Sequence, residues 1–214
     1  PIVVNDSRGF YTSRVFGTYV SEGMALLQEG VAPALIDKAG LMSGMPVGPL
    51  SLADEVAIDL IYKVAAQTKI DLGSAYVPRA SDAVASLMVE KLKRLGRKSS
   101  AGFYDYPQGA KKVLWPELKK LFEKAGGMYD MQDIKDRLLY RQAIETARCL
   151  QEGVLTGVHD ANGGSIFGIG FPAWTGGAMQ FIYSMGPDAF FKRAATLATR
   201  FGPGFALTDA AKDS

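Results

Sequence analysis

An all-α protein is predicted by three features of these 214 residues. Apolar residues recur at helical spacing, glycine and proline punctuate the chain where helices should stop and start, and one long residue pattern occurs twice. At Pro1–Val4 the β-branched run Ile2-Val3-Val4 favours a short strand, and Asn5-Asp6-Ser7 supplies turn and capping chemistry after it.

The helices follow in order. From Phe10 to Glu29 the side chains Tyr19, Val20, Met24 and Leu27 share one face, and Gly30 stands where a C-terminal cap is wanted. A second helix runs from Pro33 with Leu35, Ile36 and Leu41 up to Gly44. Gly44-Met45-Pro46-Val47-Gly48-Pro49 cannot continue a helix, because proline lacks an amide donor and pushes its predecessor towards extended geometry. The chain therefore turns a rigid elbow there, and Pro49 opens the next helix at a position where its missing N–H costs nothing. That helix is expected to reach Lys69 with Leu52, Val56, Leu60, Ile61 and Val64 inside, and Asp71-Leu72-Gly73 closes it. Asp54 falls in its first turns, where a carboxylate supports the helix dipole. Ser81-Asp82 caps a helix ending at Gly96, Lys98 to Tyr106 reads as loop with a short extended pair, Pro116 opens a helix to Lys124, and Gly126-Gly127 breaks the chain.

The second half repeats the first. At a shift of 123, Arg14 meets Arg137, Glu22 meets Glu145, Glu29-Gly30-Val31 meets Glu152-Gly153-Val154, and Asp37 meets Asp160. After a small insertion Gly44-Met45-Pro46 meets Gly170-Phe171-Pro172. Two tandem copies of one helical unit are expected, over residues 1–125 and 126–214, the second shorter. Because Arg14 recurs as Arg137, both arginines read as structural ion-pair partners. Phe171 and Trp174 read as apolar anchors in a core or a dimer interface.

The chemical inventory excludes more than it offers. The composition, 48% hydrophobic and 21% charged, is that of an ordinary globular chain, and a net charge of +2 does not argue for nucleic acid. No apolar run is long enough for a membrane span. The lone Cys149 excludes an internal disulfide and suits a reducing, cytoplasmic setting. His159 is the one histidine, so a metal site or a Ser-His-Asp triad has too few members. Gly168-Ile169-Gly170 opens no βαβ unit, so nothing in this chain should bind a dinucleotide. Lys91-Leu92-Lys93-Arg94 and Lys111-Lys112 read as solvated helix faces. The start at Pro1, without a methionine, reads as a piece of a larger protein.

The runs Asn5-Asp6-Ser7-Arg8-Gly9-Phe10-Tyr11-Thr12-Ser13-Arg14, Glu29-Gly30-Val31, Ile36-Asp37 and Gly44 to Asp54 closely resemble the C-terminal domain of 3-hydroxyacyl-CoA dehydrogenases. Gly102-Phe103-Tyr104-Asp105-Tyr106 matches a Gly-Phe-Tyr-x-Tyr segment of that family. The second copy, with Gly168 to Pro172 and Gly176-Gly177-Ala178, is similar to the duplicated half of the multifunctional α subunits of bacterial fatty-acid oxidation complexes. The resemblance implies a helical fold like the C-terminal domain of 6-phosphogluconate dehydrogenase, preceded by a Rossmann domain that binds NAD and supplies a catalytic His–Glu pair. It implies an acyl-CoA substrate, a homodimer and a thiolase partner, with this chain inactive alone and holding no catalytic, cofactor or metal residue. The family places an asparagine that helps hold substrate in Gly-Phe-x-x-Asn-Arg; here Ser13 occupies that position, a shorter group lacking the amide's donors. The competing expectations are a non-catalytic dimerisation or docking module for a thiolase, and the C-terminal domain of another β-hydroxyacid dehydrogenase.

Overall fold

The computed structural model describes residues 1–124 and 129–207; the Gly126-Gly127 break lies outside the described residues. Ten α-helices are found among the described residues, with one two-stranded ribbon. The chain forms two compact units that interleave along the sequence. One comprises Pro1–Tyr19, Gly40–Pro46 and Asp130–Ser214, the other Val20–Ala39 and Val47–Tyr129.

The second of these units contains most of α1 (Thr12–Glu29) and α2 (Pro33–Met42), then α3 (Pro49–Val56), α4 (Ile58–Leu72), α5 (Ala80–Ser86) and α6 (Pro116–Phe122). Met24, Leu26, Leu27, Ile36, Leu50, Ile58, Met88, Phe103 and Leu118 are among its fully buried bulky residues, so the apolar stripe predicted on α1 does face inward. Strands β1 (Tyr104–Asp105) and β2 (Val113–Leu114) pair antiparallel; only β1 lies within Lys98–Tyr106, where the short extended pair is expected, and its partner comes from beyond that segment.

The other unit is built on α7 (Met131–Gln151), α8 (Val158–Ile169), α9 (Ala178–Met185) and α10 (Pro187–Phe201). Its core is aromatic. Tyr140 of α7 stacks on Phe190 of α10 with ring centres 4.4 Å apart, and Phe181 of α9 meets Tyr140 edge-on at 5.7 Å. Truncating a buried ring such as Phe190 to alanine would cost about 3–5 kcal/mol in lost burial and cavity. Arg193 and Arg200 reach from α10 to Asp133 at 2.7 Å, tying it to the first turn of α7.

Several expectations need correction. Pro1–Val4 forms no strand. A strand is stabilised by its ladder, and among the described residues the segment finds none; Ile2 and Val4 instead pack half-buried against the aromatic core. The helix expected from Ser81 to Leu95 starts one residue earlier and widens into a π turn over Leu87–Lys91. Asp82 does act at its start, accepting the Arg79 amide at 2.8 Å. Leu60 and Val64 are about half exposed, so that stripe of α4 is not core.

The helix expected from Pro49 to Lys69 is two helices. Ala57, at φ 86° and ψ 119°, receives the end of α3 through its amide to Ala53 and starts α4 at once. In the second half Gly186, at φ 85° and ψ 126°, separates α9 from α10 in the same way. The paired lengths agree too, 8 and 15 residues in each half. An L-alanine is strained at such a φ where glycine is not. Ala57→Gly is therefore expected to stabilise the protein by about 1 kcal/mol in urea unfolding, the relieved strain exceeding glycine's entropy cost. A destabilised variant would show that the bend carries no strain.

Candidate functional site

The run Asn5 to Arg14 leads into α1, and chain from the second half holds it along its length. The Asn5 amide donates to the Val154 carbonyl at 2.9 Å, and its side-chain Nδ2 donates to Gly153 at 2.7 Å. Tyr11 is buried and its hydroxyl donates to the Ala161 carbonyl at 2.7 Å, with Thr146 3.4 Å away; burial pushes its pKa up to about 12. Tyr11 and Thr12 lie against Gly164 and Gly168 on α8, which leave room for them. Arg14 then donates through Nε to Glu145 and through its two Nη atoms to Glu152 at 2.5 and 2.9 Å. The fork matches a carboxylate's two oxygens, and these bonds hold Glu152 below the usual carboxylate range. Arg14 is thus an ion-pair residue, as its recurrence in the repeat suggests. Ser13, between these anchors, is exposed.

The elbow is organised by a different pair of groups. Asp37 on α2 is buried and accepts the amides of Leu50 and Ser51, at 2.8 and 3.1 Å, in the first turn of α3. Tyr104 donates its hydroxyl to the same carboxylate at 2.6 Å. Lys112 donates to Ser51 Oγ and stands 5.0 Å above the Tyr104 ring, a cation over an aromatic face. Asp54, fully buried, accepts the amides of Phe103 and Tyr104 at 2.8 and 2.9 Å and the Tyr106 hydroxyl at 3.0 Å. Its expected role at the helix N-terminus is therefore corrected. Asp37 caps α3, and Asp54 pins the Gly-Phe-Tyr-x-Tyr segment. The approach is close enough to exclude side chains: a Cβ on Gly48 would fall 2.4 Å from Asp37 Cγ, and one on Gly102 would fall 2.0 Å from Asp54 Oδ1. The signal that could have found this was the pairing of two isolated acids with two tyrosines in one motif set.

The repeat pairing also shifts. Asp37 is the fifth residue of α2, and the fifth residue of α8 is Asn162, not Asp160. Asn162 Oδ1 accepts the amides of Met179 and Gln180 at 3.0 and 3.1 Å, capping α9 as Asp37 caps α3.

Other candidates carry no chemistry. His159 is exposed in the first turn of α8, and no cluster of three metal-binding side chains occurs among the described residues. Cys149 is buried, and desolvation pushes its thiol up to about 11, the opposite of nucleophile activation. Gly168-Ile169-Gly170 ends α8 instead of opening a helix, so it offers no amide cradle for a dinucleotide phosphate. Phe171 is core as expected, whereas Trp174 is 72% exposed with its indole N–H bonded to the Ser43 carbonyl at 3.1 Å. No described helix is long and apolar enough to cross a membrane.

Burial raises the Asp54 pKa from 3.8 to about 6, and Asp37 is raised in the same direction by the same cause. A carboxyl raised on folding stabilises fully below its unfolded pKa and loses that contribution as pH climbs through the folded value. Stability should therefore fall by up to roughly 3 kcal/mol from this group between about pH 4 and pH 7. Asp54→Asn is expected to flatten that dependence in urea titrations; an unchanged pH slope would contradict it.

Residues 9–106 match the family model described as 3-hydroxyacyl-CoA dehydrogenase, C-terminal domain. A Shewanella oneidensis protein named fatty acid oxidation complex subunit alpha is 36% identical over 208 residues, covering 96% of this chain and 29% of that protein. A Shewanella baltica protein of the same name is 35% identical over 209 residues, with the same coverage. The chain thus spans less than a third of the length of these curated relatives. The crystal structure of 3-hydroxybutyryl-CoA dehydrogenase from Escherichia coli matches with a TM-score of 0.71 at 18% identity, over 100% of this chain and 61% of that one. The dehydrogenase part of multifunctional enzyme 1 from C. elegans matches with a TM-score of 0.68 at 20% identity, over 100% and 49%. At these identities the likeness to the solved structures is one of fold. Residues 9–106 thus match the 3-hydroxyacyl-CoA dehydrogenase C-terminal domain, and the chain is similar over nearly its whole length to part of the proteins named fatty acid oxidation complex subunit alpha.

Proposed function

We propose that this chain is the C-terminal part of an NAD-dependent L-3-hydroxyacyl-CoA dehydrogenase of fatty-acid β-oxidation, contributing one wall of the acyl-CoA cleft. The observation that carries the reading is the Gly9 to Arg14 run at the start of α1, inside the family-matched region, with Ser13 exposed between buried Tyr11 and ion-paired, partly buried Arg14. Ser13 takes the role of the family asparagine, offering a hydroxyl that donates and accepts one hydrogen bond at shorter reach. Residues 1–125 and 126–214 are tandem copies of one unit; the matched helix lengths and the twin bends at Ala57 and Gly186 support this.

The residues present here do not fit a dinucleotide: no glycine-rich turn between strand and helix is found among the described residues. NAD and the catalytic His–Glu pair belong to a Rossmann domain elsewhere in the parent protein, so the chain alone is inactive. A cytoplasmic homodimer with a thiolase partner completes the reading. The second reading, a docking module for that thiolase, is favoured by the exposure of Phe167 at 90% and Trp174 at 72%.

The test is NADH formation from a 3-hydroxyacyl-CoA, comparing this chain with the full-length parent. Turnover is expected from the parent alone. Ser13→Ala in the parent is expected to lower kcat/KM by about tenfold, the worth of one hydrogen bond. Turnover by the isolated chain would overturn the division of labour. A silent parent would favour the docking module.

A further inference from the structure

The segment that carries Ser13 has little support of its own. Residues 1–7 form no regular element, and helix begins only at Thr12. The second half of the chain supplies it with anchors: the carbonyls of Gly153, Val154 and Ala161, and the carboxylates of Glu145 and Glu152. Tyr11 fixes the residue two before Ser13, and Arg14 fixes the residue after it.

The Arg14 contact is the most directional of these. Glu152 takes both Nη atoms of the guanidinium, while Glu145, two turns earlier on the same side of α7, takes Nε. Arg148 balances the charge by donating to the other oxygen of Glu145 at 3.1 Å. A planar fork held on two edges cannot rotate, so the first turn of α1 is fixed in azimuth as well as position.

The second half offers no substitute for Ser13. At the shift of 123 its counterpart is Asp136, which is committed to Arg193 at 2.7 Å. The second copy therefore gives up its own polar group at this place and supplies carboxylates to the first.

We infer that Glu145 and Glu152 are positioning residues, through which the second copy holds Ser13 in the orientation that engages the substrate. The inference rests on the reading of Ser13 as a substrate contact. It assigns the second copy a task in turnover that neither needs nor implies a site of its own.

The experiment is a double-mutant cycle in the full-length parent, assayed by oxidation of a 3-hydroxyacyl-CoA and by thermal melting. Glu152→Gln keeps the side chain's size but ends the charged clamp, and Glu152 is half exposed, so folding is retained. The expected result is a loss of about tenfold in kcat/KM, mostly in kcat, since small misplacements of a positioning contact are felt chiefly in the transition state. In a Ser13→Ala background the further loss should shrink to less than about twofold, because nothing remains to be positioned. Glu145→Gln should behave alike. Additive losses in the two backgrounds, or a loss that tracks melting temperature, would overturn the positioning role while leaving Ser13 as a substrate contact. A Ser13→Ala enzyme of full activity would remove both.

Discussion

A helix that begins inside a protein leaves amide donors that water cannot reach, and each must find an acceptor or cost free energy. Both halves of this chain meet that constraint immediately after a glycine–proline elbow. Pro49 removes one donor from the start of α3, and Asp37 takes the amides of Leu50 and Ser51. At α9 the work falls to Asn162 and Ser165, whose side-chain oxygens take the amides of Met179, Gln180 and Ala178. The elbow can be sharp because the helix before it reaches over and finishes the helix after it.

The two solutions differ by one charge, and that difference explains the main asymmetry between the halves. Asn162 is neutral, so capping with its oxygen leaves no buried charge to stabilise. Asp37 is ionisable and buried, so it needs a further donor, which Tyr104 supplies, with Lys112 close by. The ribbon of β1 and β2 carries both of these residues or their neighbours to the elbow, and Asp54 fastens the ribbon by its backbone. A motif of glycine, phenylalanine and tyrosines that looks chemical in the sequence is thus the polar lining of a carboxylate pair.

Much of this was legible beforehand, and the failures have physical causes. The apolar period on α1 and proline at the head of α3 were visible because they depend on local spacing. The bend at Ala57 was not, since alanine is the strongest helix former and only tertiary packing places it at positive φ. Its twin, Gly186-Pro187, does show in the sequence, and aligning the halves at that point would have exposed the first. The pairing of Asp37 with Asp160 failed because sequence identity favoured a matching acid, whereas the helix register selects an asparagine two residues later. Leu60 and Val64 lie on a stripe that periodicity alone cannot assign to core or surface. Ser13 came only through family likeness: an exposed serine in a first helical turn has no signature of its own.

Cys149 has one more consequence. It is the chain's single thiol, it sits fully buried among the aromatic residues of α7 to α10, and Arg14 and its two glutamates lie close enough to act on its charge. An alkylating reagent can reach it only when that core opens, so its modification rate is a native clock for local unfolding. Glu145 in α7 and Glu152 at its C-terminal cap stand on either side of it, which makes the clock read the rigidity of the same stretch of helix that grips α1.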